Sequence, residues 1–417
     1  MSVRTVKPSV FEANLPAIDY DLTAPPQLIY PQFLAARDVA PIALGPIGPE
    51  ILSYELARSV LGDPRFGIPP GIHLSAQGVT SGELWDRVTQ SILCMEGNQH
   101  RRLRGLVSRA FTPRATARMD ETIHAVMNQL VDDVLPYGSC EFVEQIARPY
   151  PIPVICALLG APSTDWKQIS IWAEDIFKIV SFDTNLVDEQ PAVLKAWDEF
   201  DSYIDDMIVA RRAELTDDLL SELIRANDDG DRLSTGELQM LAFSILIAGT
   251  DTTRTQLAAS IQVLCDHPDQ LALLNDRPEL AMSAVEETMR HSPSMCSTVR
   301  SVVDDVTIGE FTFPAGTFIL VNTYAANRDP DIYDEPSRFD ITRTDPPPIL
   351  TFGGGAHYCL GANLARRELC EALKIIARRM PNPRLAGPAP WRPLLGLSGP
   401  THLPIEFDTT TSQPAGD

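Results

Sequence analysis

The sequence has no apolar run long enough to span a membrane. Its longest, LQMLAFSILIAG at 238–249, falls short of the roughly 20 residues that a spanning helix needs. The first residues, MSVRTVKPSVFEANLPAIDYDLTAPP, lack the apolar stretch and small-residue cleavage site of a secretory signal. Positive charge is scarce as well: 34 Lys and Arg stand against 56 Asp and Glu, a formal charge of −22. Such a surface repels a polyanion, which disfavours nucleic acid as a partner. Cysteine is sparse, odd in number and scattered, at Cys94, Cys140, Cys156, Cys265, Cys296, Cys359 and Cys370, with no CxxC pair. That argues against a disulfide framework and fits the reducing cytoplasm. No internal repeat or low-complexity linker divides the 417 residues, and with 44% of them hydrophobic they can bury a large core.

What is present is mostly helical periodicity. YELARSVLGDPRF predicts a short helix, after alternating apolar segments between 40 and 53 that predict short strands. Residues 65–93 are broken by glycine, proline and serine and read as irregular, mobile chain. From His100 to Met207 apolar residues recur at spacings of three and four, predicting a series of helices. The run 234–268 is the longest periodic one and opens with a capping box, Ser234 and Glu237. Its middle is apolar on most faces, so it is expected to cross the interior. ELAMSAVEETMRHSP predicts a helix ending before Pro293, and β-branched and aromatic residues then alternate through CSTVRSVVDD and VTIGEFTFPAGTFILVNTYAANRD. Mostly helix, with a minor sheet set apart in sequence, predicts a mainly α, α+β fold. A single unit over 1–417 is expected, with 1–20 and 408–417 as flexible termini.

The chemically informative stretch is FGGGAHYCLG at 352–361, which sets Cys359 among glycines just before a helical pattern. Most lone cysteines are inert core. A phosphate loop does not fit, because neither GxGxxG nor GK[ST] is present. A zinc site through His357 and Cys359 needs two further ligands, and the other cysteines and histidines lie alone. The remaining reading is a thiolate. A helix beginning at about Gly361 or Ala362 brings free backbone N–H groups and a positive dipole end to the sulfur, and both favour the ionised form. The glycines would let the backbone pass close to something large and flat. A thiolate beside a large planar ligand describes a haem proximal site.

Haem carries two propionates, which call for cations from separate segments. His100 and Arg104 lie four apart on one helix face, Arg300 lies on a strand and His357 in the loop itself. Opposite the thiolate a helix must open for oxygen and protons. Ala248-Gly249-Thr250-Asp251-Thr252-Thr253 interrupts the most apolar helix with residues that are poor choices for a helix interior. A threonine hydroxyl there can bond the carbonyl four residues back and bend the helix.

Together these motifs resemble the cytochrome P-450 family of haem-thiolate monooxygenases. The matches run in the family's order from about 95 to 370. Phe352, Gly353, Gly355, His357, Cys359 and Gly361 fit its haem-binding loop, and Ala248 to Thr253 its oxygen-activation motif. Glu287-Thr288-Met289-Arg290 fits its ExxR helix, and Pro336-Ser337-Arg338-Phe339 the element whose arginine completes that buried triad. The resemblance implies a triangular, prism-like helical fold, haem b with Cys359 as axial ligand, and Phe352 packed near the sulfur. Ala248, Gly353 and Gly361 are then haem contacts. Asp251 and Thr252 would deliver protons on the oxygen side, and Glu287, Arg290 and Arg338 would form a structural ion-pair cluster. The presence of both acid and alcohol disfavours the peroxide-driven subclass and a non-catalytic haem-thiolate sensor, the two alternatives.

By the same resemblance the substrate pocket is walled by Ile92, Leu93, Phe182, Ile247, Ala248, Ser297, Thr298 and Leu397. These suit a hydrophobic molecule such as a terpenoid, steroid, fatty acid or polyketide. No flavin or iron–sulfur module is appended, so electrons are expected from a separate ferredoxin and its reductase. The stretch 100–118 carries many arginines and no acid. Arg101, Arg102, Arg109 and Arg114, joined by Arg366 and Arg367, are expected to dock an acidic ferredoxin on the cysteine side. A monomer is expected.

Overall fold

The computed structural model describes residues 7–72, 74–182, 184–228 and 233–409. Helices make up most of it, and the largest apolar cluster joins Gly97–Val107, Asp120–Val134, Pro151–Leu159, Leu186–Ala213, Asp251–Asp266 and Ala362–Arg379. Each contributes one apolar stripe. In Asp120–Val134, for example, Ile123, Met127, Val131 and Val134 are buried at helical spacing.

The main sheet has five strands in the order Ile42–Gly45, Gly48–Ile51, Phe318–Val321, Thr298–Val302, Phe66–Gly67. Gly48–Ile51 runs parallel to Phe318–Val321, with Glu50 opposite Leu320, and the other pairs are antiparallel. The sheet is therefore not set apart in sequence: its strands come from both halves of the chain. Short strands paired over such separations leave little local signal. The stretch 65–93 also differs from expectation, for it contains the helix Glu83–Thr89. Leu84 and Val88, one turn apart, bury its inner face, while Glu83 and Asp86 stand in the first turn and Arg87 in the last. Residues 7–20, expected as a loose terminus, are packed on the sheets. Val10 N–H bonds Thr312 C=O and Ile18 N–H bonds Leu44 C=O, both at 2.9 Å, and Val10, Ile18 and Tyr20 are buried. Residues 1–6 and 410–417 lie outside the described residues.

The helix Ala281–His291 organises the approach to the cysteine loop. Arg290 on it is fully buried, and its guanidinium spends five N–H bonds. Nε and Nη2 bond Glu287 at 2.7 and 2.8 Å. Nη1 bonds the carbonyls of Asn327 and Pro336 at 3.1 and 2.7 Å, and Nη2 bonds that of Arg338 at 2.9 Å. Asn327 passes this order on, accepting Leu350 N–H at 2.8 Å and donating to Thr351 Oγ1 at 2.9 Å.

Glu50 is the other buried acid of the sheet region. Tyr20 O–H donates to its Oε1 at 2.6 Å and Asn322 Nδ2 to its Oε2 at 3.2 Å. Burial nevertheless pushes its carboxyl from the ordinary 4.5 up to about 7. Between those values the folded chain holds a proton that the unfolded chain has released, so stability falls as pH rises through that window. Thermal unfolding from pH 4.5 to 7 is expected to show the wild type losing on the order of 2 kcal/mol relative to Glu50→Gln. Equal pH slopes for the two proteins would mean that Glu50 ionises in the fold as it does in water.

Candidate active site

The long apolar run is two helices, Thr235–Ala248 and Asp251–Asp266. The expected capping box starts the first, with Ser234 Oγ accepting Glu237 N–H at 3.2 Å and Glu237 Oε2 accepting Ser234 N–H at 2.9 Å. At the join, Thr250 leaves helical geometry with φ −97° and ψ −82°. Thr252 Oγ1 donates to Ala248 C=O at 3.0 Å, the four-back bond anticipated from the sequence, and Thr250 Oγ1 donates to Ile247 C=O at 2.8 Å. Gly249 is required by packing, because a Cβ there would lie 2.6 Å from Ile155 Cγ1. Ala248 is exposed although Ile247 and Thr250 beside it are buried, so an opening reaches the helix at its kink.

Asp251 is buried, with Oδ1 paired to Arg254 Nε at 2.8 Å and no hydrogen-bond partner for Oδ2 among the described residues. Burial pushes its carboxyl above the ordinary range, Arg254, Arg392 and Arg148 pull it back, and Glu174 adds to the rise. The pairing continues outward: Arg254 Nη2 lies 3.9 Å from Glu174, which holds Arg148 at 2.7 Å and is partly exposed.

The cysteine loop is closed by Cys359 N–H bonding Phe352 C=O at 2.9 Å, and Gly353 N–H bonding Leu350 C=O at 2.8 Å. The helix after it begins at Ala362, as expected. The glycines divide the work differently from the sequence reading. Gly355, at φ +65°, packs against the Leu61 carbonyl, and a Cβ on Gly354 would lie 2.9 Å from Leu61 Cβ. They admit the helix Tyr54–Gly62 rather than a planar ligand, whereas Gly361 faces open space. Arg366 lies over the Phe352 ring at 4.4 Å.

Cys359 is exposed to solvent, although surrounding protein desolvates its thiol. Burial raises the thiol pKa; the Gly361 and Ala362 N–H groups, Arg104 and Arg366 all act to lower it. The helix terminus thus acts in the expected sense but is outweighed by burial. Metal coordination would supply the missing stabilisation, since a coordinating thiol is deprotonated outright.

The four expected cations converge. The His100 and His357 rings meet at a 30° tilt with centroids 4.3 Å apart, and Arg104 donates to Tyr358 C=O beside the cysteine. Burial and the neighbouring cations push both imidazoles down, although His357 also meets Glu96 at 3.1 Å. Arg300 is buried with Nη1 on Val299 C=O at 2.8 Å, and among the described residues it has no carboxylate partner. Burial lowers it to about 10. A buried guanidinium without an anion is costly. Arg104 beside Cys359 and Arg300 beside His357 of the same loop therefore fit a ligand that brings carboxylates, which is what a haem presents.

The triad is corrected in one member. Arg343, not Arg338, reaches Glu287, at 3.2 Å, and it is largely buried. Arg338 points outward to Glu335 and Asp340 at 3.0 and 3.4 Å and contributes only its carbonyl. Of the pocket residues, Ile247, Ser297 and Leu397 are buried, Ile92, Phe182 and Thr298 half-buried, and Leu93 exposed. Leu397 bridges Met295, which brings the two pocket segments together, while Phe182 packs with the Ile29–Phe33 cluster. Sequence reasoning missed Glu368. This acid is fully enclosed, hydrogen-bonded with Thr253 and has Oε1 unpartnered among the described residues, and burial pushes it far up. Its position between Leu364 and Ala372 on the buried helix face could have revealed it.

A kinked interior helix, a cysteine at a helix entrance and a ring of cations define a thiolate-bearing cofactor site in a helical scaffold. The chain belongs to the cytochrome P450 family, whose pattern matches residues 80–379, and like its named relatives it is a monooxygenase of the haem-thiolate type. It is 34% identical over 405 residues to luteothin monooxygenase of Streptomyces thioluteus, covering 95% of this chain and 97% of the relative. To the polyketide biosynthesis cytochrome P450 PksS of Bacillus subtilis it is 33% identical over 77% of this chain and 79% of the relative. The crystal structure of CalO2 superposes with a TM-score of 0.87 at 31% identity, covering 94% of this chain and all of that one (100%). Among the described residues no helix is long and apolar enough to cross a membrane.

Substitution separates the two arginines. Arg343→Ala leaves Glu287 short of a buried partner and is expected to cost about 3 kcal/mol in urea unfolding. Arg338→Ala, on the surface, is expected to cost less than about 0.5 kcal/mol. The reverse order would restore the triad first expected from the sequence.

Proposed function

We propose that this chain binds haem b through Cys359 and inserts one oxygen atom from O2 into a hydrophobic natural product, with electrons from a separate ferredoxin. The observation that carries this is the exposed Cys359 beside Arg104, with buried Arg300 next to His357 of the same loop and neither arginine in an ion pair among the described residues. When bound, the haem supplies the reductive activation of O2. The protein's residues do the rest. Arg300 and Arg104, with His100 and His357, hold the propionates; Phe352, capped by Arg366, shields the sulfur. The overall balance, one C–H bond plus O2, two electrons and two protons giving an alcohol and water, requires proton entry. Asp251 holds a proton beside the kink, with Arg254 and Glu174 positioning it toward the surface, and Thr252, bonded to Ala248 C=O, holds the kink open. This arrangement favours O2 chemistry over a peroxide-driven or non-catalytic role.

Of the substrate classes open from the sequence, a polyketide comes first, because a relative is named for polyketide biosynthesis. The pocket segments Ser297–Thr298 and Leu397 offer an apolar wall with hydroxyls. We place the protein in the cytoplasm as a monomer. Ferredoxin docking narrows to fewer arginines than the sequence suggested. Arg366 is held by Glu286 at 2.5 Å, Arg367 by Asp120 at 2.9 Å, and Arg102 by Glu237. Arg101, Arg109 and Arg114 are exposed without an acid partner among the described residues and form the docking charge.

Two measurements test this. The dithionite-reduced protein with CO is expected to show a strongly red-shifted Soret band that Cys359→Ser abolishes; a colourless protein or a histidine-type band sinks the reading. Charge reversal in Arg109→Glu/Arg114→Glu is expected to slow ferredoxin-supported turnover about tenfold at low salt and to flatten its salt dependence. Unchanged turnover and salt dependence would place the docking face elsewhere.

A further inference from the structure

Gln256 lies one turn beyond Thr252 on the helix Asp251–Asp266, buried and away from any reacting group. Its side chain does something the sequence pattern does not reveal. Oε1 accepts the N–H of Ser294 at 2.8 Å, and Nε2 donates to the C=O of Ser292 at 3.1 Å. One amide thus spans the turn that leads from the helix Ala281–His291 into the strand Thr298–Val302. Nε2 also lies 3.4 Å from Ser260 Oγ, whose hydroxyl bonds Gln256 C=O and Thr288 Oγ1.

The clamped turn is joined to a second segment. Ser398 N–H bonds Ser294 C=O at 2.8 Å, and Met295 bridges Leu397. Gly399 packs directly against Thr255, the residue before Gln256, where any Cβ would collide. On the outer side, Thr323 Oγ1 holds Met295 C=O at 3.1 Å and Tyr324 N–H holds Cys296 C=O at 2.9 Å. Both segments, 294–298 and 397, are therefore referenced to the kinked helix through Gln256 and the contact beside it. Arg300 follows on the same strand.

We propose that Gln256 is a positioning residue that sets the spacing between the helix kink and the pocket wall 294–298 and 397, and so decides which bulky ligands fit over the iron. The inference rests on the reading of this cleft as the haem and substrate site. A leucine has nearly the same volume but neither amide function, and leaves Ser294 N–H and Ser292 C=O buried and unpaired. Asparagine is one methylene too short to reach both.

The test uses the haem-loaded protein and two iron-binding probes, imidazole and 4-phenylimidazole, titrated by absorbance. Imidazole needs only the iron; the phenyl ring must also pass the wall. Gln256→Leu is expected to leave imidazole affinity within about twofold and to weaken 4-phenylimidazole about tenfold. Gln256→Glu, which keeps the shape and the acceptor for Ser294, is expected to fall between and serves if the leucine variant does not fold. Ser260→Ala is expected to leave the ratio of the two affinities unchanged. A lowered melting temperature with an unchanged ratio, or equal weakening of both probes, would reduce Gln256 to a structural residue and overturn the proposal. An absence of any imidazole spectrum in the wild type would instead strike at the haem reading beneath it.

Discussion

The position of the sulfur depends on one guanidinium that never touches it. Arg290 is buried and uses its five N–H groups on Glu287 and three carbonyls. An arginine has only five donors, so none is left for rearrangement. The carbonyl of Asn327 is one acceptor, and the Asn327 side chain fixes Leu350 and Thr351, while Thr351 Oγ1 bonds Met289 C=O at 3.0 Å. The next residue is Phe352, whose carbonyl holds the Cys359 N–H. A buried ion pair adds little net stability compared with apolar packing, but losing one partner is expensive. Its value here is geometric: a continuous set of bonds sets where the cysteine loop begins.

Charge is sorted just as tightly. The chain carries −22 overall, yet cations collect around Cys359 and along the neighbouring helix. Some of the arginines that a linear reading would assign to a partner are occupied inside the protein by Glu286, Asp120 and Glu237. Arg300 differs: among the described residues its hydrogen bonds go to backbone and hydroxyl oxygens, and Glu96 acts on it without forming an ion pair. Leaving such a group unpaired in the interior makes sense when a ligand brings the anion.

What could be read in advance follows from how local each signal is. The cysteine loop was legible because a sulfur, a helix start and the glycines of a tight turn must be contiguous. The kink was legible because glycine and threonines are poor choices in an apolar helix interior. The identity of the third triad member was not legible. Arg338 and Arg343 stand five residues apart in an irregular stretch, and only the path of that stretch decides which side chain turns toward Glu287. The glycine roles depended on Leu61, nearly 300 residues away in sequence, and the packing of Val10 on Thr312, about as far away. The thiol's balance was hidden too, since burial and helix terminus oppose each other and a sequence shows only their signs.

Asp251 and Glu368 show why burial alone does not make an acid useful. Both are enclosed, and each has one oxygen without a partner among the described residues. Glu368 has Thr253 to favour its ionised form, and desolvation pushes its carboxyl well above the ordinary range. Asp251 has Arg254 at 2.8 Å, with Arg392 and Arg148 beyond, and these oppose the same desolvation. Cationic neighbours favour the charged form of a carboxyl and burial the neutral one, so the two acids stand under different balances. Geometry separates the two as well: Asp251 lies beside the kink and pairs with Arg254, whereas Glu368 lies on the helix Ala362–Arg379.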